Sequence, residues 1–268
     1  MIQRRAELVK SDACFAALYS SAGARMATAE ELIQSMDASQ VDISVVCNIG
    51  WQSHDLCVES NQYLLEATRR YPGRLAALAT VYPQAGDRAA QELERCIRAG
   101  CHGLGEMRPD PESLDMSYDS LWTPLVSLLV EHDLLWLGHT SEPLGHSYAG
   151  KGNLTPEVYY PFICRYPRLR FVMAHWGGGL PFYTLMPEVA RSLANVYYDS
   201  AASDYLYSPA IYQQVITLSG ATRIVLGSDY PLLSQSRLLK TLSSLTLSPA
   251  ETDSLAWRNA LGLLNMEG

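Results

Sequence analysis

Short apolar segments and longer amphipathic segments alternate along this chain, and this alternation limits the fold more than any other feature of the sequence. The apolar segments recur at a spacing of roughly 30 residues, the length of one strand joined to the next parallel strand by a helix. Strands of a parallel sheet are buried on both faces and therefore read as short apolar runs. Strands are predicted at 41–46, 75–81, 101–107, 134–139, 171–175, 196–199 and 224–229.

Between these strands, apolar side chains spaced for one helix face predict the crossover helices. One helix start carries a capping box formed by Thr28 and Glu31. A C-terminal helix over 249–264 is opened by a second capping box, Ser248 with Glu251. Residues 1–26 lack clear periodicity and are predicted as an irregular N-terminal segment. The other helices are predicted at 27–37, 58–71, 87–99, 118–132, 155–166, 185–193, 209–219 and 234–245.

The length of 268 residues allows one barrel-sized domain or two ordinary domains. A doubly wound sheet gathers its ligand site at one switch point, often beside a G-x-G-x-x-G turn, and no such turn precedes a helix here. A TIM-type (β/α)8 barrel instead places polar residues at the C-terminal ends of several strands, as this sequence does. We therefore expect a single α/β barrel domain over residues 1–268, with its first strand missing because seven strands are found.

Composition excludes several classes of partner. The net charge of −8 argues against nonspecific binding to nucleic acid or to anionic membranes. No apolar run approaches the ~20 residues of a membrane span, and no signal peptide opens the chain. The six cysteines form no C-x-x-C pair, which favours reduced thiols in a cytoplasm. We expect a small-molecule substrate as the partner.

Polar residues at strand ends are the candidates for a functional site. The strand at 171–175 delivers His175 into the glycine turn 177–179, the strand at 134–139 ends in His139, and the last strand ends in Asp229. A lone histidine is more often structural than catalytic, but the end of a buried parallel strand is where a barrel places its chemistry. Glu106 follows the same rule, although it could merely pair with Arg108.

Four motifs carry a resemblance to a known family. They are Gly138-His139-Thr140-Ser141-Glu142-Pro143, Ala174-His175-Trp176-Gly177-Gly178, Gly227-Ser228-Asp229-Tyr230-Pro231 and Asn259-Ala260-Leu261-Gly262-Leu263-Leu264. With these motifs, in this order and at strand ends, the chain resembles the amidohydrolase-related metal-dependent barrels. The branch it is most similar to contains the aminocarboxymuconate-semialdehyde decarboxylase-like proteins.

The resemblance implies one divalent metal ion, with zinc expected and manganese or iron as alternatives. In that family a His-x-His pair on the first strand, a histidine on the fifth and an aspartate on the eighth hold the ion. Carried over, His139 and Asp229 become ligands, and His175 becomes the acid/base on the sixth strand. Glu106 is a further candidate ligand, since some members take one from the fourth strand, and His175 could add a fourth. Asp229 is also a candidate to take a proton from a metal-bound water.

The sequence departs from the family pattern at the first strand. Its six histidines include no pair spaced by two residues, so the His-x-His is absent. The missing pair and the missing strand have one common explanation, which is that Met1 is an internal start or that the chain is a truncation. The alternative is a barrel that has lost both its first strand and its function.

Residues around these ends are candidates for substrate contact. Arg108 could clamp a carboxylate, and His146 lies with Lys151 in a long loop that would cover the barrel mouth. Trp176 and Tyr230 could form an aromatic wall, although both could simply pack in the core.

Three functions are consistent with these residues. The first is a metal-dependent hydrolase that acts through a metal-activated water, with His175 and Asp229 as catalytic residues. The second is a nonoxidative decarboxylase on the same barrel, which needs a proton donor rather than an attacking water. The third, from another class, is a metal-less barrel that binds a ligand or a partner without turnover. Ser-His-Asp hydrolysis is disfavoured because no G-x-S-x-G elbow occurs. Apolar residues in the N-terminal segment could also supply a homodimer interface.

Overall fold

The computed structural model describes residues 1–109 and 115–266. Seven strands are present in that part of the chain, in agreement with the sequence prediction, and every pairing between them is parallel. They are β1 (Ser44–Val46), β2 (Leu75–Ala77), β3 (Gly103–Met107), β4 (Leu135–Gly138), β5 (Arg170–Met173), β6 (Val196–Asp199) and β7 (Ile224–Val225).

The strands follow one another in chain order around the sheet. β1 pairs with β2, and β3 to β7 form a continuous ladder. A parallel bridge between Ala79 and Leu104 joins the two ladders. Within the described residues, no strand pairs with the free edge of β1 or with that of β7. The predicted α/β fold of the TIM-barrel type is confirmed.

Helices connect these strands. They are α1 (Arg5–Ser11), α2 (Ala13–Tyr19), α3 (Ala29–Ser39), α4 (His54–Arg70), α5 (Asp87–Arg98), α6 (Asp119–Glu131), α7 (Pro156–Arg165), α8 (Pro187–Ser192), α9 (Ser203–Leu206), α10 (Ala210–Ser219), α11 (Gln235–Ser244), α12 (Pro249–Asp253) and α13 (Asn259–Leu263). A π-type turn over Ser254–Arg258 joins α12 to α13, so the predicted C-terminal helix is present as one helical segment. Both predicted capping boxes form. No helix in the described residues has the length and apolar character needed to cross a bilayer.

The prediction of an irregular segment over residues 1–26 was wrong. Two helices, α1 and α2, occupy much of it, and the Asp12 carboxylate caps α2 by accepting a hydrogen bond from the Phe15 amide at 2.9 Å. Each helix spans only seven residues, which is too short for an apolar repeat to be read from sequence. Leu8 and Phe15 instead pack with Trp51 in a small cluster beside the main core.

The helix predicted at 185–193 is divided in two. A 3-10 turn spans Leu180–Leu185, and α8 begins only at Pro187, after Met186 in an extended conformation. The residue before a proline is disfavoured in the helical region, and proline itself suits the first helical position. The two proline effects place the break at Met186.

The inner face of the sheet is closed at the N-terminal ends of its strands by the C-terminal segment. Leu263 and Leu264 pack with inward residues of the strands, among them Leu135 and Val172. The Leu264 carbonyl lies 2.9 Å from His102 Nδ1. The opposite, C-terminal edge of the sheet is therefore the one that is free to carry a functional site.

Asn61 joins two helices to the strand layer. Its side-chain amide donates to the Thr80 carbonyl and to Glu92 Oε1, and its oxygen accepts from the Thr80 amide, each at 2.8 Å. Asn61, Thr80 and Glu92 are all buried.

We expect Asn61→Ala to lower the free energy of unfolding by about 2–4 kcal/mol, because it leaves the buried Thr80 amide and carbonyl without these partners, whereas Glu92 keeps its ion pair with Arg95. Urea unfolding measures the change, with the exposed neighbour Gln62→Ala as the matched control. Equal stabilities for the two variants would contradict this account.

Candidate metal centre

Three strand ends bring their polar side chains to one point. Glu106 lies in β3, His139 follows β4, and His175 follows β5. Because parallel neighbouring strands end at the same edge, these side chains converge. Their potential ligand atoms all lie within 4.8 Å of one another. We call Glu106, His139 and His175 the strand-end cluster.

Glu106 is the centre of this cluster. His139 Nδ1 lies 2.8 Å from Glu106 Oε1, and His175 Nε2 lies 3.7 Å from the same oxygen. The two imidazole rings meet edge to face with centroids 5.2 Å apart. Both histidines are buried, and the Glu106 side chain is mostly buried.

The second nitrogen of each imidazole is held by a protein oxygen. His175 Nδ1 donates to the Ala201 carbonyl at 3.1 Å, which leaves Nε2 facing Glu106. His139 Nε2 lies 3.2 Å from Ser141 Oγ, and that hydroxyl accepts from the Gly152 amide at 3.1 Å. Such partners fix the orientation of an imidazole before any ligand arrives.

The turn after β5 sets the position of His175. His175 and Trp176 have φ values of 54° and 58°, and the following glycines continue in the left-handed region. A Cβ atom on Gly178 would lie 2.4 Å from the Ser141 carbonyl oxygen. Glycine therefore allows the β5 turn to pack directly against the segment that carries His139.

Burial and the neighbouring charges shift the pKa values of the cluster residues in opposite directions. Burial alone raises the pKa of Glu106, but the hydrogen bonds and positive charge of His139 and His175 outweigh it and hold this pKa well below its ordinary value. Burial lowers the pKa of His139 against the opposing effect of Glu106. Burial also lowers the pKa of His175, but the carboxylates of Glu106, Asp229 and Asp199 outweigh burial and raise it to about 10. The Glu106 side chain is therefore a charged carboxylate that lies between two imidazoles removed from solvent.

A family model described as "Amidohydrolase" matches residues 9–266 of this chain. The chain belongs to the amidohydrolase family. The match includes every described strand and all of the strand-end cluster, so the resemblance inferred from the four motifs is confirmed.

Similar proteins in this family include decarboxylases. Gamma-resorcylate decarboxylase of Polaromonas is 20% identical over 255 residues, covering 80% of this chain and 78% of that enzyme. The crystal structure of 5-carboxyvanillate decarboxylase from Novosphingobium aromaticivorans, in complex with manganese and 4-hydroxy-3-methoxy-5-nitrobenzoic acid, has a TM-score of 0.77 at 17% identity and covers 98% and 92% of the two chains. A dihydroxybenzoic acid decarboxylase from Polaromonas, with bound manganese and the inhibitor 2-nitroresorcinol, has a TM-score of 0.73 at 17% identity and covers 99% and 94%.

The residues of the strand-end cluster fit a divalent metal ion. Two imidazoles and one carboxylate form a donor set known for zinc and for non-haem iron, and relatives of this chain contain manganese. The donors are buried and close together, and each imidazole has the outer hydrogen bond typical of a metal ligand. The donor set suits zinc, manganese and iron alike.

Asp229, the expected last ligand, does not join this cluster of close donors. It follows β7 with a left-handed φ of 55° and keeps an exposed face at the mouth of the barrel. Its charge still helps to raise the pKa of His175. Desolvation by the surrounding chain raises the pKa of Asp229 itself. The side chain is therefore near the cluster, and its predicted roles as ligand and in proton transfer stay predictions.

Asp199 is a site residue that sequence reasoning missed. It ends β6, and its Oδ1 accepts a hydrogen bond from the Ala201 amide at 2.5 Å. Burial raises the pKa of its carboxyl to about 7, against the effect of His175. A Cβ atom on Gly227 would overlap this carboxylate. The available signal was the same one that identified Glu106, an acidic residue at the end of an apolar strand.

Arg108 lies near the strand-end cluster. Its guanidinium donates to the Gly150 carbonyl, in the loop between β4 and α7. Its positive charge helps to lower the pKa of His139. Arg108 also lines a cavity of about 170 Å³ together with Trp51 and Tyr82. A cation in this place could accept the carboxylate group of a substrate.

The other predicted substrate contacts have their observed partners outside the strand-end cluster. Trp176 is fully buried, its indole donates to Ser203 Oγ at 2.6 Å, and its ring packs on Tyr212, so the structure places it in the core rather than in a site wall. His146 is exposed and packs near Tyr148. Tyr230 donates to the Glu31 carbonyl at 3.3 Å and so links the β7 end to α3. Trp176 lies in the left-handed turn after β5, and this turn directs its side chain into the core.

Proposed function

We propose that this member of the amidohydrolase family is a metal-dependent carboxy-lyase that removes CO₂ from a small aromatic or unsaturated carboxylic acid. The observation that carries the proposal is the buried strand-end cluster with the Arg108 guanidinium beside His139. The similarity to two kinds of aromatic-acid decarboxylase supports this alternative better than hydrolysis, which was the leading expectation from the sequence. Hydrolysis and decarboxylation would use the same barrel and the same metal ion, so only the substrate that is turned over distinguishes the two reactions.

Glu106, His139 and His175 are the residues that would hold the metal ion. We assign His175 to the ion rather than to proton transfer, because its Nδ1 is committed to the Ala201 carbonyl and its Nε2 faces Glu106. A divalent ion bound there supplies Lewis-acid polarisation of a substrate oxygen.

The chain's own residues supply binding and protonation. The Arg108 guanidinium binds the substrate carboxylate through charge-assisted hydrogen bonds and orients it toward the cluster. When the bond between the carboxylate and its carbon breaks, CO₂ leaves and the electron pair stays on that carbon. The Asp229 carboxyl, near the cluster and not committed to it, gives a proton to the carbon and is recharged from solvent at its exposed face.

The test is product analysis with the metal-supplemented protein. The chain is incubated with Mn²⁺ or Zn²⁺ and a panel of hydroxylated benzoic acids, and CO₂ is measured beside the decarboxylated phenol. The expected result is equimolar CO₂ and phenol from at least one acid. Cleavage of ester, lactone or amide substrates without CO₂ release would establish the hydrolase instead. A metal-loaded chain that turns over neither class would leave only the ligand- or partner-binding barrel.

A further inference from the structure

Glu142 lies one residue beyond a group that touches the cluster. Ser141, its neighbour, contacts His139 and is fully buried in the loop between β4 and α7. The Ser141 amide donates to the Leu154 carbonyl at 2.9 Å, which ties the two ends of this loop together. The backbone at Glu142 is therefore anchored next to the residue that orients His139.

The Glu142 carboxylate is only half satisfied. Oε2 accepts a hydrogen bond from the Tyr148 hydroxyl at 2.9 Å. Oε1 is buried, and among residues 1–109 and 115–266 no donor meets it at normal hydrogen-bond distance and angle, although the Tyr207 hydroxyl interacts with the same carboxylate. Native proteins rarely leave a buried carboxylate oxygen without a donor, since its lost hydration is costly. An oxygen of this kind beside a candidate active site points to a donor that arrives with a ligand.

Two phenols from different loops surround this carboxylate. Burial and the Glu142 charge raise the pKa values of Tyr148 and of Tyr207, which lies after α9. The nearby Lys151 ammonium is committed elsewhere, donating to the Leu144 and His146 carbonyls at 2.9 and 3.2 Å. The site is therefore a hydrogen-bond acceptor framed by aromatic side chains, without a cation that would neutralise it among these contacts.

We propose that Glu142 Oε1 binds a hydrogen-bond-donating substituent of the substrate, a hydroxyl or an amino group. This inference rests on the proposed function and deepens it. The substrate would then be a carboxylic acid with one end for Arg108 and a donor group for Glu142. Methylation of that donor removes the hydrogen bond and adds bulk against a packed carboxylate, so the site discriminates between a phenol and its methyl ether.

Calorimetric binding to the Mn²⁺-loaded protein tests this proposal. The probes are the three monohydroxybenzoates and the three matching methoxybenzoates. We expect at least one hydroxybenzoate to bind about 10- to 100-fold more tightly than its methyl ether, the range for a hydrogen bond to a charged group. In Glu142→Gln this ratio should fall below about threefold, whereas Glu157→Gln, an exposed glutamate on α7, should keep it.

Thermal unfolding without ligand separates binding from a structural role. Glutamine keeps an oxygen that can accept from the Tyr148 hydroxyl and removes the cost of a buried carboxylate oxygen without a donor, so in the free protein Glu142→Gln should melt at the wild-type temperature or above it. Melting several degrees lower would assign Glu142 to structure and overturn the inference. An unchanged phenol-to-ether ratio in Glu142→Gln would also overturn it while leaving the decarboxylase proposal intact. Failure of every benzoate to bind would contradict both the Glu142 proposal and the decarboxylase proposal.

Discussion

His139→Ala is expected to abolish metal binding and turnover together. His139 is buried at the end of β4, with Nδ1 on Glu106 and Nε2 on Ser141. Its removal deletes one of three donors and leaves the Glu106 carboxylate with a single imidazole neighbour. We expect the metal affinity to fall by at least ~100-fold, the upper end of the effect of losing an outer-shell partner. Turnover should fall by at least the same factor at limiting metal.

The matched control is His132→Ala, an exposed histidine at the end of α6. Metal affinity by equilibrium dialysis and rate by CO₂ release should both stay at wild-type values in this control. Wild-type metal affinity in His139→Ala would show that the ion binds elsewhere. Loss of turnover with metal retained would restrict His139 to a role in substrate binding.

Gly178→Ala is expected to give the largest loss of stability. The residue has a φ of 59°, and an added Cβ would lie 2.4 Å from the buried Ser141 carbonyl oxygen. Strain in the left-handed region and overlap with packed backbone both act, so the free energy of unfolding should fall by about 2–5 kcal/mol. Since Ser141 carries the outer hydrogen bond of His139, metal affinity should fall as well.

Gly73→Ala separates these two causes. Gly73 has a φ of 72° with open space around the Cβ position, so only the backbone strain acts there. We expect it to cost about 1–2 kcal/mol with no change in metal affinity. Urea unfolding of both variants measures the difference. Equal losses would mean that the β5 turn relaxes around the added methyl group, and the proposed tight contact would be wrong.

The strands and most helices followed from the sequence because their signals are local. A short apolar run such as 171–173 predicts a strand buried on both faces of a parallel sheet. The capping boxes at Thr28 and Ser248 mark the starts of their helices directly. The helices α1 and α2 were missed because each is short and is stabilised by contacts with Trp51 that are distant in sequence. Tertiary packing decided their conformation, and propensity alone could not.

The site was predictable as a set of strand ends but not as a set of contacts. Parallel topology brings Glu106, His139 and His175 together once their strands are assigned. The left-handed turn after β5 decides that His175 faces Glu106 while Trp176 enters the core, and no spacing in the sequence encodes that turn. Asp199 was passed over because it carried no motif, although it ends a strand as Glu106 nearly does. The lack of a hydrogen-bond donor to Glu142 Oε1 among the described residues can be seen only in the three-dimensional structure.

Elemental analysis of the purified chain, dialysed with excess Mn²⁺ or Zn²⁺ and then freed of loose metal, would show whether the strand-end cluster holds a metal ion. We expect about one equivalent of metal in the wild type and in His132→Ala, because the cluster is a single buried three-donor set. We expect loss of the ion from Glu106→Gln, His139→Ala and His175→Gln alike. Wild-type chain that retains no metal, or variants that all retain it, would contradict the assignment of the strand-end cluster as a metal centre.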